Sequence, residues 1–238
     1  MSYELDDELY DDPSRIPREV KQRFGVLPHF FQLGPETPEI TENLWGFAKF
    51  GYLDNPLPSL LKERLFVYLS RFCRIRYCLA RHVGFLVGLG RPSGNMKCPP
   101  ETIDQVVQLI QRDLPCGEAL EPHLNALRDK PTIFAKPPAS GTPEEETLFA
   151  CASHVFLRTP QASSCLKALN GAMGAEAFQH LLVFLAFVRT AHFWSEVHPE
   201  LELEEDLKTL LKVHGKLAEC IQCEPEAIET TPFVRCDI

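Results

Sequence analysis

The chain has 238 residues, 45% of them apolar and 24% charged, which is ordinary for a soluble globular protein and enough for a real hydrophobic core in one large domain or two small ones. The formal net charge is −9, and this scattered acidic excess argues against nucleic acid or anionic lipid as a broad-surface partner. No apolar run reaches the roughly 18 residues that a membrane span needs, because Arg and His interrupt every long one.

Residues 1–25 are polar and carry Pro13 and Pro17, so they are expected to form a partly ordered arm. The opening MSYELDDELYDDPSR is acidic and lacks the apolar stretch of a secretory signal, which points to the cytoplasm. A first helical half is expected over residues 26–113. It begins with the loop VLPHFFQLGPETPEI, after which Thr37 as N-cap and Pro38 at the first helical position open a helix to about Tyr52. DNPLPS is a turn, and Pro58 or Ser59 opens the helix that begins SLLKERLFVYLSR. YCLARHVGFLVGLG is helical until Gly90, with Pro92 as the stop. After the loop SGNMKCPP, the spacing of Ile103, Val106, Val107 and Ile110 predicts another helix.

Residues 114–141 are proline-rich and read as a linker loop, with a short helix near EPHLNALRD. A second helical half, residues 142–222, is expected to pack on the first. Thr142 caps its first helix, Pro143 stands in the first turn, and the acids that follow suit the positive end of the helix dipole. PQASSCLKALNGAMG, AEAFQHLLVFLAFVRTAHFWSEVH and PELELEEDLKTLLKVHGKLAEC follow as helices, and residues 223–238 form a tail of little periodicity. β-branched runs of period two are nearly absent. The fold class is therefore all-α, with seven to nine helices.

Nine cysteines, an odd number with no secretory signal, read as thiols in a reducing compartment, most of them small buried apolar residues. One stretch stands apart: ERLFVYLSRFCRIRYCLARH, residues 63–82, with Arg71, Arg74, Arg76 and Arg81 around its two cysteines. Cys78 and His82 are four residues apart, so on a helix their side chains lie about 40° apart on one face. His82 can then act as a base or proton shuttle for the thiol. Glu63 would be about 22 Å from Cys78 on one unbroken helix, so shared chemistry needs the chain to break between them. Cys220-Ile-Gln-Cys223 has the spacing of a redox pair or half of a zinc site, without a second half nearby. His192 and Glu196, at i and i+4 with His198 following, could offer metal ligands, line a pocket shared with His82, or simply pack beside Phe193 and Trp194. His154 and His180 read as ordinary helix residues, and no phosphate loop or hydrolase motif is present in the sequence.

Glu63, Cys78 and His82 at this spacing resemble the active-site pattern of the AhpD-like, carboxymuconolactone decarboxylase-like superfamily, in which a Glu is followed after a spacer by Cys-x-x-Cys-x-x-x-His. Tyr77 directly before the second Cys fits that pattern. The resemblance covers residues 25–113 well and 142–215 more weakly. It departs at Ile75, which stands where the first cysteine of the pair belongs. The resemblance implies an AhpD-like helical bundle and thiol-dependent reduction of a small hydroperoxide substrate with no metal or organic cofactor; a homo-oligomer is expected because helices this apolar usually bury a further face. Cys78 is then the peroxidatic nucleophile, His82 its proton shuttle and Glu63 the upstream base. It also implies a chain break near Phe72–Arg76 that puts Cys78 in the first turn of a new helix, where the helix dipole and nearby Arg charge would lower the thiol's pKa. With Ile75 in place, an external thiol reductant or Cys73 would have to resolve the sulfenic acid. Lactone decarboxylation, the reaction of other members, has no specific support in these residues. Residues 47–94 further resemble a segment that precedes PAS and histidine-kinase modules in bacterial sensors. The alternative function is thus a non-catalytic sensory or ligand-binding input domain, with Tyr77, His192 and Glu196 as candidate pocket residues.

Overall fold

A computed structural model describes residues 14–129, 134 and 136–222. Residues 1–13 of the expected arm, the tail from 223 onward and Cys223 lie outside the described residues. Eleven α-helices and no β-strand run through the described residues. They are α1 (Arg15–Phe24), α2 (Pro38–Ala48), α3 (Ser59–Cys73), α4 (Arg76–Leu86), α5 (Ile103–Gln111) and α6 (Glu121–Asp129), then α7 (Pro143–Leu157), α8 (Ala162–Met173), α9 (Ala175–Glu196), α10 (Glu205–Val213) and α11 (Gly215–Gln222). The class is all-α, and the count exceeds the seven to nine expected for two reasons. The stretch read as one final helix breaks at His214, and residues 15–24 of the arm are helical. None of these helices is long and apolar enough to cross a membrane.

Part of the arm is an ordered helix that packs on the core. α1 is amphipathic, and Val20 and Phe24 on its inner face are buried in the core. Phe24 stacks on Phe85 of α4, with ring centroids 5.2 Å apart. Pro17 does not prevent the helix, because it stands in the first turn, where its missing N–H would have no intrahelical partner. The short helix expected near EPHLNALRD within the linker is present as α6. A 3-10 turn at Gly117–Leu120 leads into α6, and Leu120, Leu124, Leu127 and Phe134 are all buried.

α3 and α4 form the centre. Ten consecutive residues of α3, Leu61 to Ser70, are buried, as are ten of α4, Tyr77 to Leu86. A helix buried on every side needs partners all round. α9, α7, α5 and α10 provide them. α3 ends at Arg74, which adopts the left-handed conformation (φ 58°, ψ 24°), and α4 resumes two residues later. The chain reverses there. Phe66, at the middle of α3, lies against His82 of α4.

Two buried polar assemblies fix the surroundings. Arg64 of α3 grips Glu145 of α7 with two bonds of 2.6 and 2.9 Å and reaches Glu101 at 2.6 Å. Lys62 donates to the backbone carbonyls of Tyr52, Leu53 (3.2 Å) and Asn55 (2.7 Å), and burial pushes its pKa down to about 8. Those carbonyls end a single π-helical turn, Lys49–Leu53, that continues α2. Gly51 in that turn lets α9 approach, since a Cβ there would lie 3.1 Å from Phe187 and 3.0 Å from Phe47.

Candidate functional site

The reversal at Arg74 brings Glu63 and His82 together. Glu63 Oε1 lies 2.5 Å from His82 Nδ1. Its other oxygen accepts from the Tyr52 hydroxyl and from the Ser93 backbone N–H, the latter at 2.8 Å. Each partner has its own support. The π turn aims Tyr52 inward, and burial followed by the Glu63 charge holds its phenol protonated. Ser93 sits in a 3-10 turn with left-handed φ of 45°. Phe66 stacks flat on the imidazole, with centroids 3.4 Å apart and planes 15° apart. With Nδ1–H donated to the carboxylate, Nε2 is the nitrogen left for other chemistry.

His82 lines a cavity of about 40 Å³ whose other walls include Phe24, Phe30, Tyr77, Arg81, Phe187 and Ala191. A space of this size holds roughly three water-sized solutes. A solute of two or three heavy atoms fits within it. Arg81 Nε is buried here without a hydrogen-bond partner.

Cys78 does not share that cavity. It stands in the first turn of α4, but its sulfur faces α9, 3.3 Å from Ser195 Oγ and 3.8 Å from the Ala191 carbonyl. The expected lowering of its pKa is overturned: burial pushes the thiol up to about 12. Desolvation outweighs the helix dipole. The nearby guanidinium groups are also turned elsewhere, Arg71 to the Arg112 carbonyl and Arg81 to Asp206 and the Leu89 carbonyl. Cys73 is half-buried and likewise pushed up by burial, to about 11.

Of the other candidates, Tyr77 lines the cavity, and His192 and Glu196 do not. Glu196 is exposed. His192 stands edge-on to Phe66 with Nε2 2.8 Å from Ser70 Oγ. Ser70 donates to the Phe66 carbonyl, so His192 Nε2 carries the proton and Nδ1 is left without a partner. Cys220 is half-buried, 3.5 Å from Gln111 Nε2. Among the described residues no group of three or more His, Cys, Asp or Glu is placed to hold a metal ion. Sequence reasoning missed Tyr52, Ser93, Phe66 and Ser195. Each comes from a different segment, and only Phe66, one turn beyond Glu63 on α3, had a helical spacing that could have revealed it.

His192 carries a prediction. Burial pushes its pKa down to about 3. Between that value and the unfolded value of about 6.5, the unfolded chain binds a proton that the folded chain refuses. This contribution is therefore complete above pH 6.5 and is lost as pH falls, by roughly 1.4 kcal/mol per pH unit at most. Urea midpoints measured from pH 7 to 4 are expected to fall less steeply in His192→Gln than in the native chain.

No family model, curated protein or solved structure matches this chain.

Proposed function

We propose that this chain, an AhpD-like relative, binds a small solute in the cavity beside His82 and responds to oxidation at Cys78, without rapid peroxide turnover. The carrying observation is the position of Cys78, sealed against Ser195 outside the His82 cavity with a pKa of about 12. At pH 7 about one molecule in 10⁵ is then a thiolate. A free cysteine has a few per cent, and higher intrinsic nucleophilicity recovers only part of the difference. Net reaction with a hydroperoxide is roughly a hundredfold slower than for a free thiol. The step itself balances: the sulfur attacks one peroxide oxygen, the O–O bond breaks, an alcohol leaves and the thiol becomes a sulfenic acid. Ile75 in place of a resolving cysteine, and the likeness to segments that precede kinase modules, support the same reading.

The second reading, a turning-over peroxidase, is favoured by the 2.5 Å contact that orients His82. Incubation with an alkyl hydroperoxide and a dithiol separates the two. The expected result is one sulfenic acid per chain at Cys78, trapped by dimedone and mapped by mass spectrometry, with no sustained consumption of peroxide. The rate should rise about tenfold per pH unit from 7 to 10 without a plateau. Many turnovers per chain, lost in Cys78→Ser, establish the peroxidase instead.

A further inference from the structure

One wall of the His82 cavity is not a bundle helix. It is the short 3-10 turn His29–Gln32, which with Pro28 presents Phe30 and Phe31 to the cavity. Within itself the turn has a Phe31 N–H bond to the Pro28 carbonyl at 3.1 Å. Its fastening comes from residues 202–204, more than 170 positions along the chain. Glu204 Oε1 accepts from the His29 backbone N–H at 2.8 Å and from the Tyr77 hydroxyl at 2.6 Å. The Tyr77 oxygen accepts in turn from the Phe30 N–H at 3.2 Å. His29 Nδ1 lies 3.0 Å from the Glu202 carbonyl. The second Glu204 oxygen is 3.5 Å from Arg81 Nη1, which also pairs with Asp206 at 3.2 Å.

We propose that Glu204 is the latch of a lid: through His29 and Tyr77 it holds the 28–32 turn closed over His82, and its release opens the route into the cavity. The geometry has the parts a lid needs. The turn is short, its inner face is aromatic, and Glu204 joins it to α4 and the start of α10, beside single bonds from His29 to the Glu202 carbonyl and from Phe30 to Tyr77. The turn borders the cavity through Pro28, Phe30 and Phe31, and its backbone bonds to neighbouring elements run to the Glu204 carboxylate and the Tyr77 hydroxyl. The inference rests on the reading that the cavity is the binding site, but its test does not depend on any reaction at Cys78.

Diethyl pyrocarbonate acylates an accessible imidazole nitrogen, with ethyl carbonate as the leaving group, and His82 is 9% exposed with the turn in place. The reagent's rate of addition to each histidine of the full chain is followed by peptide mass spectrometry. Glu204→Ala and Tyr77→Phe are each expected to raise the rate at His82 by about tenfold or more, because each removes bonds to a charged or shared acceptor that hold the turn. Glu204→Gln keeps an acceptor oxygen and should stay within about threefold of the native rate. His154 is the control. It is buried on α7 between Thr159 and the Pro115 carbonyl, away from the turn. An unchanged rate at His82 in both variants overturns the latch. So does a rise at His82 that His154 matches, since that reports general loosening. A chain that never forms a sulfenic acid can still show the His82 response, so the two proposals fail separately.

Discussion

Replacing Glu145 with Ala is expected to lower the unfolding free energy by about 3–5 kcal/mol, the range for breaking a buried ion pair from one side. Glu145 is fully buried and serves several donors at once: Arg64 Nε and Nη2, Arg112 at 3.3 Å, and the Gly141 N–H at 3.0 Å. Its removal leaves Arg64, itself 4% exposed, with Glu101 as its remaining carboxylate partner. The cost is therefore that of a buried guanidinium that has lost two of its three carboxylate bonds, far above the 0–1 kcal/mol typical of a surface pair. The pair also ties α3 to α7, so the loss should appear in the global transition. Urea unfolding should show a lower midpoint at unchanged slope. Replacing Arg64 and Glu145 together with methionines should cost clearly less than the two single changes added, because the partner is no longer stranded. A single-site cost under about 1 kcal/mol would contradict the burial and bonding described here.

The helices that the sequence announces are those with polar punctuation. Thr142 and Pro143 open α7, and Thr102 with Gln105 forms a capping box on α5. α1 was hidden by its prolines, yet Pro17 stands in the first turn, as Pro122 does in α6, where it is harmless. The break between α3 and α4 has no local signature. Arg74 takes a left-handed conformation that a glycine would advertise, and only the resemblance placed a reversal there. The π turn at Lys49–Leu53 is equally silent, yet it aims Tyr52 at Glu63.

The same limit applied to the site. Cys78 and His82 do share a helix face, as their spacing requires. But α4 is buried all round, and 40° suffices to send the sulfur to α9 and the imidazole to α3. Whether a thiol is activated by a helix terminus or silenced by burial depends on what covers it. Here the cover is Ser195 and Ala191, more than 110 residues away in sequence.

Glu63→Ala is expected to cost about 3 kcal/mol or more and to release His82 from its present orientation. Three donors converge on this one carboxylate: His82 Nδ1, the Tyr52 hydroxyl and the Ser93 N–H. Glu63 and Tyr52 are essentially inaccessible, and Ser93 is 3% exposed, so water cannot replace the lost acceptor without entering the core. An unsatisfied buried donor costs about 1–3 kcal/mol, and the three are linked through shared oxygens, so their losses are coupled. Tyr52→Phe removes only one of them and should cost about 1–2 kcal/mol. Glu63→Gln keeps one acceptor oxygen but turns an amide N–H₂ toward a donor, and should fall between the two. The measurement has two parts. Urea unfolding gives the order Ala, Gln, then Tyr52→Phe. Proton NMR follows the downfield Nδ1–H signal of His82, which should vanish in Glu63→Ala and survive in Tyr52→Phe. If that signal survives without the carboxylate, something other than Glu63 orients His82. The imidazole would then face the cavity for reasons of packing against Phe66 alone, and the acid would be a structural tie between α3 and the Ser93 turn.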